Sequence, residues 1–197
     1  MRRSPSPTLI AMMLALAPLA GCVSFGAKPP PQLLTLSAPA TVPTDAPAAA
    51  PALTVLDLDT PRKLDTVRVP VQVNDTSIAY VKDAQWVDTP RKLFRKLLSD
   101  RIAADGQVLV LEPGRLPLVG GRRLMGELVE FGVDARSGNA VVTYEAILVG
   151  PDPLHVVRRR FTASVPAGKI AAGTVARPIN AAAQQVADQV AEWVKGN

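Results

Sequence analysis

The sequence predicts an α+β domain, a largely antiparallel sheet with two helices packed on one face. Three observations carry this. Apolar and polar residues alternate over residues 66–73, 123–133 and 140–149, the two-residue period of half-buried strands. Two other stretches, 93–102 and 179–194, repeat apolar residues every three or four positions, as an amphipathic helix does. The elements come in the order strands, helix, strands, helix.

Taken in order, LTVLDL (53–58) predicts the first strand. TVRVPVQV (66–73) follows, with Val67, Val69, Val71 and Val73 on one face. Pro70 has no amide hydrogen, so this strand is expected at an edge or bulged there. Residues 77–81 and 85–87 read as a short hairpin around Lys82-Asp83-Ala84. The first helix starts at Pro90, which suits the first helical position, with Thr89 or Asp88 able to cap it. Leu93, Phe94, Leu97, Leu98 and Ile102 form its apolar stripe, opposite Arg91, Lys92, Arg95 and Lys96. Asp105-Gly106 closes it.

QVLVL (107–111) reads as a strand and 113–121, rich in proline and glycine, as a loop. The strands 123–133 and 140–149 are joined by a hairpin over 134–139, with Gly138 available for positive φ. Residues 155–165 continue the meander. Arg158, Arg159 and Arg160 near its start imply a solvated face or edge. The last helix spans about 175–195, with Ile179, Ala183, Val186, Val190 and Val194 in register and small alanines beside them for close packing on the sheet.

The N-terminus is of another kind. Arg2 and Arg3 precede an apolar run at 9–19, too short to span a bilayer as a resident helix. Leu19-Ala20-Gly21-Cys22 follows. Small residues let the backbone enter a peptidase cleft, and a cysteine next can form a thioether with diacylglycerol. This order resembles the lipobox of bacterial lipoproteins, with residues 1–21 as signal peptide, cleavage between Gly21 and Cys22, and lipid on Cys22. Removing 1–21 leaves 176 of 197 residues and lowers the net charge from +5 to +3. That mild excess, in an exported protein, gives no reason to expect a nucleic-acid partner. Cys22 is the single cysteine, so no internal disulfide can form and the domain must rely on its core.

Proline recurs through residues 23–52. Lacking amide donors and fixed in φ, these residues predict an extended Pro/Ala-rich tether over 22–52 ahead of the domain at 53–197. Fully stretched, about 30 residues at roughly 3.1 Å each reach ~90 Å or more. Within the stretch, residues 32–36 read as a short edge strand.

Candidate chemistry is sparse. His155 is the one histidine, and no second histidine or thiol completes a metal site or a nucleophilic dyad. Asp57, Asp59 and Asp65 flank strand ends, where solvated carboxylates are common. Gly120-Gly121 leads into a strand rather than a helix, so it does not cradle phosphate. Arg158, Arg159 and Arg160 could meet anionic headgroups or an acidic partner, or simply line a solvated edge. Neither enzyme nor cofactor is expected.

Several short motifs carry a family resemblance. Leu33-Leu34-Thr35-Leu36, Val67-Arg68-Val69-Pro70, Ile78-Ala79-Tyr80, Gln85-Trp86-Val87, the helix with Leu93, Leu97 and Leu98, and Ala183 and Ala187 leading to Trp193-Val194 occur in order. Over about 33–195 the chain resembles the ABC-type transport auxiliary lipoprotein family, departing from it at Leu34, where tyrosine is usual, and in the insertion at 37–52. The resemblance implies an accessory lipoprotein of an Mce-type transporter, similar to the paraquat-inducible system, that moves phospholipid or other hydrophobic molecules between membranes. The partners implied are an Mce-domain substrate-binding protein with its ABC permease and ATPase. Lipoproteins of this type resemble those carrying diacylglycerol and usually an N-acyl chain such as palmitate. Val23 after Cys22, in place of the aspartate of inner-membrane retention, implies the periplasmic face of the outer membrane. A pilot or plug for an outer-membrane channel, and a domain that itself carries lipid in a groove, are the competing readings. Tyr80 and Trp86 are the candidate contacts for a partner or lipid chain, with burial under the first helix as the other possibility.

Overall fold

The computed structural model describes residues 32–37, 50–104, 106–114, 121–152 and 154–197. The signal segment, Cys22, most of the tether, Asp105 and the middle of the 113–121 loop lie outside the described residues. The strands are β1 (Ala52–Val55), β2 (Arg68–Asn74), β3 (Ser77–Gln85), β4 (Leu109–Leu111), β5 (Arg122–Asp134), β6 (Asn139–Val149) and β7 (Val156–Pro166). The helices are α1 (Pro90–Ala103) and α2 (Ala176–Lys195), and a single 3-10 turn spans Arg62–Leu64.

All seven strands join one mixed sheet. β5, β6 and β7 form the predicted antiparallel meander. Gly138 closes the β5–β6 hairpin with a φ of 69°. The other edge of β5 is shared. β1 runs parallel to residues 122–124 and β2 parallel to 133–134. An isolated bridge between Asp59 and Glu127 fills the gap. β4 lies parallel outside β1, and β3 antiparallel outside β2. The thirteen residues of β5 are therefore the spine onto which the two halves of the domain attach.

Two expectations are corrected, and the two alternatives for Pro70 are decided in favour of the bulge. Residues 77–87 do not form a hairpin of their own. Ser77–Gln85 is one strand, and the hairpin is the one joining β2 to β3. Pro70 is not at an edge, because β2 lies between β3 and β5; a register shift between Arg68 and Pro70 supplies the bulge that accommodates it. Val73 does not share the buried face of Val69 and Val71. A second shift between Gln72 and Asn74 turns it outward, to 43% exposure.

Both helices pack on one face of the sheet. Thr89 is the N-cap of α1, but its side chain makes no capping bond. Asp88 serves the turn instead, its carboxylate accepting the Thr89 N–H at 2.7 Å and pairing with Lys92. The backbone bond holds the Asp88 carboxyl below the usual carboxylate range. Phe94, Leu97, Leu98 and Ile102 face the core, with Leu93 partly covered. On α2, Ile179, Ala183, Val186, Val190 and Val194 are all fully buried. An ion pair from Arg101 to Asp188 joins the helices, and Arg122 donates to the Val194 carbonyl.

At the centre, four aromatic rings touch in series. Trp86 meets Phe131 edge-on at 5.4 Å, Phe131 meets Phe94 at 6.4 Å, and Phe94 meets Tyr144 at 5.6 Å. Tyr144 is fully buried and donates to the Met125 carbonyl at 3.0 Å. Burial raises its hydroxyl pKa well above the ordinary value.

The sheet has little slack where β5 passes β6. Gly126 has a φ of 151°, and a Cβ built there would sit 1.9 Å from the Glu145 carbonyl oxygen. Gly126→Ala is therefore expected to cost roughly 2–4 kcal/mol, through a strained backbone and forced separation of the strands. A shift of the urea midpoint measures this, and an unchanged midpoint would contradict the close approach.

A candidate docking surface on the open face of the sheet

The face of the sheet away from the helices is open, and the two candidate residues divide between the faces. Pro70 is opposite Tyr80, whereas Arg68 is opposite Gln85. Two steps along β2 thus correspond to five along β3. The excess is odd, so side-chain alternation reverses across it. Asp83 absorbs the distortion with a φ of 57°. Tyr80 consequently lies on the open face, and Trp86, six residues on, lies in the core at 1% exposure. Its indole Nε1 has no hydrogen-bond partner among the described residues.

Tyr80 is half-buried. Its hydroxyl donates to the Lys63 carbonyl at 3.4 Å, which ties β3 to the 3-10 turn. The Arg68 guanidinium lies 4.1 Å from its ring centroid, a contact worth about 0.5–1 kcal/mol when exposed. Beside them is a cleft of about 150 Å³ floored by Leu64, Pro70, Ile78 and Val141, with Lys63 and Arg136 at its margin. Gly132 makes this floor possible, since a Cβ there would come within 2.4 Å of the Pro70 carbonyl oxygen. Arg136 is held by Asp75 and Asp134. Hydrogen bonds from Arg136 and Ser137 keep the Asp134 carboxyl low, the Arg136 backbone N–H contributing most. The surface offers apolar area and one accessible aromatic ring, and Glu130 and Asp134 in the cleft lining balance Lys63 and Arg136. It can hold an apolar group of a partner.

Arg68 and the cleft floor were not singled out from the sequence, yet a signal for them existed. Pro70 belongs to the V-x-V-P motif, and Ile78 and Tyr80 to I-x-Y. The β2–β3 register sets Pro70 against Tyr80 and Gln72 against Ile78, bringing the two motifs side by side.

Other singled-out residues lie elsewhere. Asp57 pairs with Arg95 at 3.4 Å and Asp65 with Arg91 at 3.5 Å. The His155 carbonyl accepts the Gly150 N–H at the β6–β7 turn. Glu145 on the open face accepts from both Arg158 and Arg160. These hydrogen bonds, Arg158 first, lower its carboxyl pKa.

The short predicted strand near residue 34 is present as a strap. Leu34 bridges to Trp86 in parallel, its N–H donating to the Gln85 carbonyl at 2.7 Å and its carbonyl accepting the Val87 N–H at 2.8 Å. Three residues on, the Ser37 N–H donates to Asn180 Oδ1 at 3.0 Å, and Gln184 donates to the Ser37 hydroxyl at 2.6 Å. Residues 34–37 thus connect the β3 end of the sheet to the first half of α2.

A family model described as the ABC-type transport auxiliary lipoprotein component matches residues 33–191, from this strap almost to the end of α2. The chain belongs to that family. The ABC-type transport auxiliary lipoprotein fold also recurs in solved structures. One is the crystal structure of protein XCC0632 from Xanthomonas campestris, 18% identical, with a TM-score of 0.70 over 83% of this chain and 94% of that one. A second, of an uncharacterized protein, is 14% identical with a TM-score of 0.65 over 83% of this chain and 99% of that one. At these identities the likeness establishes the fold. No curated protein matches the sequence. The family is a transport component and not an enzyme family. Among the described residues, no helix is long and apolar enough to cross a membrane.

Proposed function

We propose that this family member is a non-enzymatic accessory subunit of an Mce-type ABC transporter, held at the periplasmic face of the outer membrane by lipid on Cys22. The observation that carries the reading is the family match over residues 33–191, preceded by a lipobox-like segment ending at Cys22. Val23 after that cysteine supports the outer membrane as its destination. The substrates are phospholipids or other hydrophobic molecules, passed between an Mce-domain protein and the outer membrane. The lipid and the Pro-rich segment between Cys22 and the strap at 34–37 keep the domain at high local concentration near that assembly. The strap at residues 34–37 anchors the membrane-side segment to both sheet and helix.

Affinity capture of the tagged, lipidated protein from solubilised envelopes tests this. Recovery of an Mce-domain protein with its permease and ATPase is expected. Tyr80→Ala should weaken recovery while lowering stability by about 1–2 kcal/mol, through loss of the Arg68 contact, one long hydrogen bond and the half-buried ring. Recovery of an outer-membrane barrel or secretin alone would replace this reading with that of a pilot or plug.

A further inference from the structure

The outer edge of β7 is a second surface that the transporter reading leaves unused. β7 is eleven residues long and pairs only with β6 among the described residues. Hydrogen bonds at both ends give the phase of the ladder. Gly150 N–H donates to the His155 carbonyl at one end, and Ala167 N–H to the Gly138 carbonyl at the other. Paired and unpaired positions alternate between them in an antiparallel ladder. The N–H and C=O groups of Val156, Arg158, Arg160, Thr162 and Ser164 therefore point away from β6, into the open edge.

We propose that this edge is a β-augmentation site for an extended, acidic segment of a partner protein. Two features select that occupant. Arg158 and Arg160 lie on the open face beside the edge and share one carboxylate, Glu145, which leaves net positive charge there. An added strand with acidic residues opposite these arginines completes the pairing. On the other face, Arg159 and Phe161 border a groove of about 540 Å³ whose far wall is Asp188, Gln189, Glu192 and Trp193 of α2. Arg159 lies 5.2 Å from the Phe161 ring, which packs 5.5 Å from Trp193. The side chain between two acidic residues of the added strand enters this groove, so an aromatic residue fits it. Backbone bonds supply affinity, and alternate side chains supply specificity. A second copy of this chain suits the edge less well. Full-length antiparallel pairing of two β7 strands puts their Arg160 side chains at diagonal positions, where like charges repel.

The site does not rest on the transporter reading, because it selects a chemistry whichever protein supplies it. The test uses the full lipidated chain in detergent and a fluorescein-labelled peptide, TVTVEWEVTVT, long enough to lie along the edge as far as Ser164. This peptide is expected to bind, at least about tenfold more tightly than TVTVKWKVTVT. Binding should weaken at high salt and slow amide exchange at Arg158, Arg160 and Thr162. Ser164→Pro removes an outward N–H without breaking a bond to β6, a position where an edge strand tolerates proline. It is expected to lower affinity about tenfold or more at an unchanged urea midpoint. The double variant Arg158→Gln, Arg160→Gln should do the same and leaves the backbone untouched. Absence of binding, equal binding of the lysine peptide, or full affinity in both variants would overturn the proposal. So would a sedimentation result in which Ser164→Pro abolishes self-association, because a second copy would then own the edge.

Discussion

Trp86→Ala is expected to destabilise the domain by about 3–5 kcal/mol, a large part of the roughly 5–15 kcal/mol typical of a native protein. The indole is 1% exposed and starts the aromatic series through Phe131 and Phe94 to Tyr144. Its removal leaves a cavity against rings that cannot collapse without moving both β5 and α1. The same residue receives the strap through the Leu34 bridge, so loss of packing there also loosens the segment leading toward the membrane. Trp86→Phe should recover most of the stability. It keeps a ring against Phe131 and discards an indole N–H that has no partner among the described residues. Urea unfolding of both variants decides the matter. An unmoved midpoint for Trp86→Ala, together with loss of transporter capture, would make the side chain a partner contact instead of a core residue.

Cys22→Ser has the largest expected effect on function. A thioether to diacylglycerol requires sulfur, and serine cannot replace it. Each buried methylene contributes about 0.8 kcal/mol, and two or more chains are needed for stable anchorage. The variant is expected to lose all incorporation of labelled palmitate and to retain its signal segment, while the domain melts as before. Membrane fractionation alone would mislead, because an uncleaved signal can itself hold the chain at a membrane. The readouts are therefore acyl label and N-terminal mass. Normal labelling of the variant would remove Cys22 as the lipid site and, with it, the proposed mode of attachment.

Much of the fold was legible because it is local. The stripe Phe94, Leu97, Leu98 and Ile102 defines the buried side of α1, and Pro90 its start. The five buried positions of α2 lie on one helical face by spacing alone. The long alternations of β5 and β6, with Gly138 between them, specify a hairpin with few alternatives. Tyr80 and Trp86 were legible as the residues to watch, but their faces were not. An even spacing of six along one strand would put both on the same side.

The α+β class, both helices, the β5–β7 meander and the family motifs in their order are written in residue spacing. That β1 and β2 share one edge of β5, that Pro70 lies inside the sheet, and that Trp86 turns inward while Tyr80 stays outside emerges only when the strands pair. Periodicity records which residues an element buries, whereas a bulge is created by the partner strand. The mismatch of two steps on β2 with five on β3 exists only once the strands are paired.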